Sequence, residues 1–217
     1  HHKIKDKVLF PGTGYLEFAL AAVSATNAKG FVNLLDVNFL KPFDVELGRC
    51  LRCEISDDNK SAVFLGEDDD VPFCTIGETL VSSDGAIATQ TLSQLRSHCG
   101  VEIPGISERY EKMDKEGFHG RQFQTISQIW QSQDKQEFLA KLDLPINHNR
   151  YHIHPALLDG AAQIVGFLDN PTGEAIVPAS IERVTLNDSI GRSSTFVEIN
   201  MSIWVHACVE KEDDSSR

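Results

Sequence analysis

Two stretches of this 217-residue chain repeat one another, and an internal repeat restricts a fold more than any single element does. The first is the opening: His2, a short run, Pro11, then an apolar helix from Thr13 to about Ser24. The second is YHIHPALLDGAAQIVGFL: His154, Pro155, then an apolar helix to about Leu168. Each helix leads through a short loop into similar strand-like residues, LLDVNFLKPF at 34–43 and VPASIERVTL at 177–186.

Alternating apolar and polar residues predict further strands in each half. In the first they cover 34–40, 49–56, 62–66 and 73–82, with turns at 57–60 and 67–70. In the second they cover 123–132 and 137–144, around a turn at 133–135, and then 195–209 after the helix. A polar stretch from Ser83 to about Lys115 separates the halves and holds one short helix near 106–113. A helix that is apolar nearly all round must be buried on every side. A curved sheet wrapped around it, the hot-dog arrangement, is the economical solution. The expectation is an α+β double hot-dog, with one unit at 1–85, a linker at 86–117 and a second unit at 118–217. The second unit is expected to be incomplete at its C-terminal end, where the chain closes on a solvated run, 210–217.

The net charge of −12 argues against nucleic acid, whose phosphates need Lys and Arg, and against an anionic membrane surface. No apolar run approaches the ~20 residues of a membrane span, and no signal peptide is visible. Cys50-x-x-Cys53 invites a zinc or redox reading. Its surroundings alternate like a strand, however, which sends the two thiols to opposite faces. No second ligand pair completes a metal site, so unpaired thiols in a reducing cytoplasm are expected.

The second helix carries two strongly polar side chains, Asp159 and Gln163, four residues apart and therefore on one face. Pro155 suits the first helical turn, so Asp159 is too far in to be the cap. A carboxyl set among Leu, Ala, Ile and Val is a candidate proton donor, because burial disfavours the charged form of an acid. Gln163 then holds that carboxyl, or a substrate hydroxyl, in place. A histidine pair at a chain start also fits a purification-tag remnant. Yet in a duplicated fold His2 precedes one central helix while Asp159 lies on the other, so one half offers a base and the other an acid. At Pro11-Gly12-Thr13-Gly14 the helix start presents free N–H groups, and a glycine lets a ligand approach them. An N–H there suits a thioester carbonyl and the negative charge that grows on it when an α-proton leaves.

These residues resemble the dehydratase domain of modular polyketide synthases and animal-type fatty acid synthases. The family pattern His-x3-Gly-x4-Pro maps onto His2 and Pro11, followed by Gly12 and Tyr15-Leu16-Glu17, with Asp6 where the family has glycine. The pattern His-Pro-Ala-Leu-Leu-Asp-x3-Gln matches His154, Pro155 and the residues through Gln163 without a substitution. Gly117-Phe118-His119-Gly120-Arg121-Gln122-Phe123 is an altered form of Gly-Tyr-x-Tyr-Gly-Pro-x-Phe, with His119 and Arg121 replacing Tyr and Pro. If His119 faces the tunnel it adds a second titratable group; the other reading is a satisfied strand histidine.

The resemblance implies that His2 is the catalytic base, Asp159 the acid, Gln163 its support, and the Gly12 backbone the thioester anchor. It implies a β-hydroxyacyl substrate on the phosphopantetheine arm of an acyl carrier protein, with no metal and no dissociable cofactor. The carrier protein and neighbouring synthase domains are the expected partners, in the same polypeptide, and a homodimer is compatible with it. The same pair of residues also serves double-bond isomerisation and cyclisation, and a non-catalytic structural domain is a third reading. The intact second pattern favours dehydration.

Overall fold

The computed structural model describes residues 2–5, 7–24, 31–58, 60–82, 90–143, 151–167, 178–187 and 202–209. Expectations that fall on Asp6, on 195–201 and on the tail at 210–217 lie outside the described residues. The chain opens with a tight hairpin, β1 (Lys3–Ile4) and β2 (Lys7–Val8), in which Lys5 takes a left-handed φ of 49°. Helix α1 (Gly12–Ser24) follows, then β3 (Phe31–Phe39), β4 (Leu51–Ile55), β5 (Ala62–Gly66) and β6 (Cys74–Ser82). The stretch between the halves carries α2 (Leu92–His98), β7 (Val101–Glu102) and α3 (Ile106–Lys115). A single turn at Arg121–Phe123 leads into β8 (Ile126–Gln131), β9 (Glu137–Asp143), α4 (Pro155–Gln163), β10 (Ser180–Asn187) and β11 (Ser202–Cys208).

Two antiparallel sheets form, in the orders β10-β3-β6-β5-β4 and β11-β9-β8-β7. Strand β10 joins the sheet of the first half. It runs along β3 from Ser180 opposite Asn38 to Asn187 opposite Phe31, so the two strands that follow the repeated helices pair with each other.

Each sheet packs against one of the repeated helices, and the second sheet also against α3. Leu16, Ala19 and Leu20 of α1 meet Leu34, Val37, Phe64 and Ile76 of the first sheet. Leu157 of α4, with Ile164 and Phe167 beyond it, meets Ile126, Ile129, Phe138, Ala140 and Leu142 of the second. Neither helix is buried on every side: Phe18 and Ala21 of α1 and Ala162 of α4 are exposed. Besides its sheet, each helix has the other helix as a neighbour. A hydroxyl and a carboxylate join them there: the Thr13 hydroxyl donates to the Pro155 carbonyl (2.9 Å), and Glu17 accepts from the backbone N–H groups of His152 (2.8 Å) and Ile153 (2.9 Å). Thr13 and Glu17 are both buried, so the first turns of the two helices are clasped by polar groups with few alternatives.

The second helix also stops earlier than its apolar run. After Gln163 it tightens into a 3-10 turn at Ile164–Phe167, where the Arg109 guanidinium donates to the Phe167 carbonyl (2.9 Å). Of the cysteines, Cys50 is exposed and Cys53 half-buried, and all five thiols are free. Burial pushes the Cys53 thiol up to about 11 and the Cys74 thiol up to about 12, which keeps both protonated and inert.

Candidate active site

Asp159 sits one turn into α4, behind a cap that fixes where the helix starts. His154 is the residue before that start, and its ring Nδ1 accepts from the Ala156 N–H (3.1 Å), while Pro155 occupies the first turn. His154 and Pro155 therefore set the height of Asp159 along the helix. The close approach of α4 to Thr125, just ahead of β8, and to Leu142 of β9 is made at Gly160, where any Cβ would intrude on the Thr125 hydroxyl. That hydroxyl donates to the Ala156 carbonyl (3.2 Å).

One turn later Gln163 supports the carboxylate. Its amide donates to Asp159 Oδ2 (2.6 Å) and to the Phe123 carbonyl (2.9 Å). Its carbonyl oxygen accepts from the Tyr110 hydroxyl (3.0 Å), which accepts in turn from the Ile126 N–H (3.1 Å). Tyr110, Gln163 and Asp159 are buried, and Tyr110 comes from α3, in the polar stretch between the halves.

His2 reaches this group from the opening hairpin. The hairpin is tied to the first half by the Phe10 N–H donating to the Phe43 carbonyl (2.8 Å), and to the second by the His119 N–H donating to the Lys3 carbonyl (3.1 Å). The His2 backbone carbonyl accepts from the Leu9 N–H (3.0 Å), and the ring Nδ1 lies 3.2 Å from the Leu9 carbonyl. A carbonyl only accepts, so the neutral ring carries its proton on Nδ1 and turns the Nε2 lone pair toward Asp159. Nε2 is 3.8 Å from Asp159 Oδ1.

His119 approaches the same carboxylate from the other side, its Nδ1 3.8 Å from Asp159 Oδ2. It holds a left-handed φ of 46°, and its Nδ1 is buried with no hydrogen-bond partner among the described residues. The two imidazoles meet edge to face at 5.6 Å, and Phe123 packs on His2 at 5.2 Å. Burial lowers the affinity of both histidines for protons, although the Asp159 carboxylate opposes it in each case. Both rings are therefore neutral at neutral pH. At 3.8 Å neither ring is within hydrogen-bond reach of Asp159, and each contact becomes an ion pair only when its ring is protonated.

The structure thus brings together His2, His119, Asp159 and Gln163. Gly120 precedes the turn that places Phe123 beside His2. Gly12 opens α1 next to Pro11, with the Phe39 ring so close that a side chain there would press on it (3.3 Å). Tyr15 points away into the first core against Phe10 and Phe64. Its hydroxyl is buried with no hydrogen-bond partner among the described residues, and burial raises its proton affinity. Tyr110 was not singled out by the motifs, and Glu17, quoted in the first pattern, was given no role there. Ile106, Tyr110 and Met113 stand at i, i+4 and i+7, the spacing of a buried helix face, which was the available signal for Tyr110.

The family profile described as "Polyketide synthase dehydratase N-terminal domain" matches residues 87–212, and that described as "Polyketide synthase dehydratase domain" matches residues 1–64. The chain is 24% identical over 231 residues to polyketide synthase PksN of Bacillus subtilis (strain 168), covering 98% of this chain and 4% of that protein. It therefore spans a small fraction of the curated relative it matches. Among solved structures, the dehydratase domain from the CurF module of curacin polyketide synthase superposes with a TM-score of 0.79, at 24% identity. The match covers 98% of this chain and 78% of that one. A His-to-Phe form of the CurK dehydratase, described as an inactive mutant, superposes at 0.70 with 24% identity, over 97% of this chain and 75% of that one. With both halves matched in order and the two sheets laid out as tandem hot-dog units, the chain belongs to the polyketide synthase dehydratase family.

Proposed function

We propose that His2 and Asp159 eliminate water from a β-hydroxyacyl thioester carried on the phosphopantetheine arm of an acyl carrier protein, giving the α,β-unsaturated thioester. The observation that carries this reading is the 3.8 Å between His2 Nε2 and Asp159 Oδ1. The gap is too wide for the two to bond each other, yet one Cα–Cβ unit can present its α-proton to the ring and its hydroxyl to the carboxyl. His2 takes the α-proton on Nε2, and the carbon–oxygen bond breaks as Asp159 gives its proton to the departing hydroxyl. His2 is left protonated and Asp159 ionised, and transfer of one proton between them restores the resting pair. The first N–H groups of α1 at Gly12 are suited to hold the thioester carbonyl while enolate-like charge develops. Side chains supply every proton, so the cycle calls on no dissociable cofactor.

In this reading the units at 1–85 and 118–217 act as one domain, and tethering of the carrier in the same polypeptide supplies a local concentration of about millimolar without strong docking. The test is mass spectrometry of a carrier protein loaded with a β-hydroxyacyl chain, using wild type, His2→Ala and Asp159→Asn. Loss of one water is expected with wild type, slowed about 10²–10⁴-fold in each variant. Unchanged mass with an altered product would replace the reading with isomerisation or cyclisation. No change across several loaded chains would refute it.

A further inference from the structure

We propose that His2, His119 and Asp159 form a zinc-binding site, and that an ion there holds base and acid together and shuts the elimination off. One ring nitrogen from each histidine and a carboxylate oxygen of Asp159 all lie within 4.8 Å of one another. Zinc binds imidazole at 2.0–2.1 Å and carboxylate at 2.0–2.2 Å, so two ligands at a tetrahedral angle stand about 3.4 Å apart. His2 Nε2 is 3.8 Å from one Asp159 oxygen, Oδ1, and His119 Nδ1 is 3.8 Å from the other, Oδ2; with a single oxygen as ligand no separation exceeds 4.8 Å. Bringing each separation to about 3.4 Å takes no more than about 1.4 Å, within the swing of an imidazole on its own side-chain torsions.

Two of the three donors, His2 and Asp159, are oriented as metal ligands are. Metal-binding histidines fix their lone pair by donating the other ring N–H to a carbonyl, and ligating carboxylates are held by a further hydrogen bond. His2 faces the Leu9 carbonyl through Nδ1, and Asp159 accepts from the Gln163 amide. His119 supplies what the proposed reaction leaves unused: a buried ring nitrogen with no hydrogen-bond partner among the described residues, held toward Asp159 by a backbone φ that non-glycine residues seldom adopt. Imidazole and carboxylate suit zinc, and three protein ligands leave a fourth position for water. An ion so placed occupies the Nε2 lone pair that takes the α-proton and the oxygen that gives one. Zinc is therefore an inhibitor of this site. The binding rests on geometry alone; the inhibition also rests on the proposed elimination.

The test starts from chelator-stripped protein titrated with zinc against a chromophoric chelator, using wild type, His119→Asn, His119→Tyr, Asp159→Asn and Cys208→Ser. Asparagine tolerates the left-handed φ and tyrosine restores the family's residue, so the fold is checked with both by circular dichroism. Cys208→Ser accounts for a separate surface group, Glu137, His206 and Cys208, which also offers metal ligands. The expected result is a site retained in Cys208→Ser. His119→Asn, His119→Tyr and Asp159→Asn should each weaken it more than the about 10–100-fold typical of losing an outer-shell partner. Wild-type elimination should fall in step with occupancy and recover on adding chelator. No zinc uptake by wild type, or uptake unchanged in the His119 and Asp159 variants, overturns the site. Zinc-bound protein that eliminates at the full rate overturns the inhibition. Metal-free protein that binds zinc but eliminates nothing refutes the proposed reaction and leaves the site standing.

Discussion

Tyr110→Phe removes one oxygen atom and nothing else from the buried network behind Asp159. The ring keeps its packing on Phe167 (centroids 5.7 Å), so no apolar surface is lost. Two polar groups do lose their partner: the Ile126 N–H and the Gln163 side-chain carbonyl. A buried group stranded in this way costs about 1–3 kcal/mol, and with some relaxation the pair should cost about 2–3 kcal/mol in all. For a chain of this size each kcal/mol moves the melting point by about 2–4 °C, so a fall of about 4–12 °C is expected by calorimetry.

The same substitution frees one of the anchors of Gln163, which still donates to Asp159 and Phe123. Turnover should therefore drop by up to about tenfold, or ~1.4 kcal/mol, with KM changed less, since Tyr110 is two hydrogen bonds removed from the acid. Combined with Gln163→Leu, the loss should be smaller than the sum, with a coupling of about 0.5–3 kcal/mol. Two outcomes would refute the reasoning. One is a Tyr110→Phe protein within about 0.5 kcal/mol of wild type; the other is strict additivity with Gln163→Leu.

Other perturbations read different parts of the structure. His2 and His119 bind protons less readily folded than unfolded, so below about pH 6.5 the unfolded chain takes up protons first. Stability should thus be flat above that value and fall as pH drops, by at most about 1.4 kcal/mol per pH unit per histidine, until the folded rings titrate; urea midpoints between pH 8 and 5 would show a flat line if this is wrong. Glu17→Ala strands the N–H groups of His152 and Ile153 and should cost about 2–4 kcal/mol in denaturant unfolding, with Glu17→Gln costing about half, whereas equal effects would mean the carboxylate is not the clasp. Gly160→Ala drives a methyl into the Thr125 hydroxyl and should destabilise by about 1–3 kcal/mol despite the better helix propensity of alanine; a stabilised variant would contradict the close packing of α4 on Thr125 and Leu142.

How much of this was readable beforehand depends on the reach of each interaction. Both repeated helices and the strands around tight turns rest on local pattern, and β5 falls where its alternation places it. The strand expected from residue 123 begins instead at Ile126, because Arg121–Phe123 spends those residues on a turn that aims Phe123 at His2. Alternation marked β10 as a strand, but it carries no information about which sheet edge is open, and that edge belonged to β3. Asp159 and Gln163 stood out as polar residues on an apolar helix. Tyr110 did not, since a tyrosine on a buried face is expected for its ring alone, and its hydroxyl finds Gln163 from 53 residues away.

The polar groups that cannot be exchanged for apolar ones gather at one junction. Thr13 and Glu17 fasten α1 to the start of α4, His154 caps that start, and Gln163 ties the carboxylate back to Phe123 and Tyr110. The two apolar cores tolerate changes of shape that conserve volume, but hydrogen bonds fix direction as well as distance. His2 arrives on a hairpin bonded to both halves, so its 3.8 Å distance from Asp159 depends on how the halves are joined, which the clasp between the helices helps to set. It follows that a variant such as Glu17→Gln, still folded around intact cores, should lose more activity than stability. That ordering would separate a site built at the seam from one built within a single half.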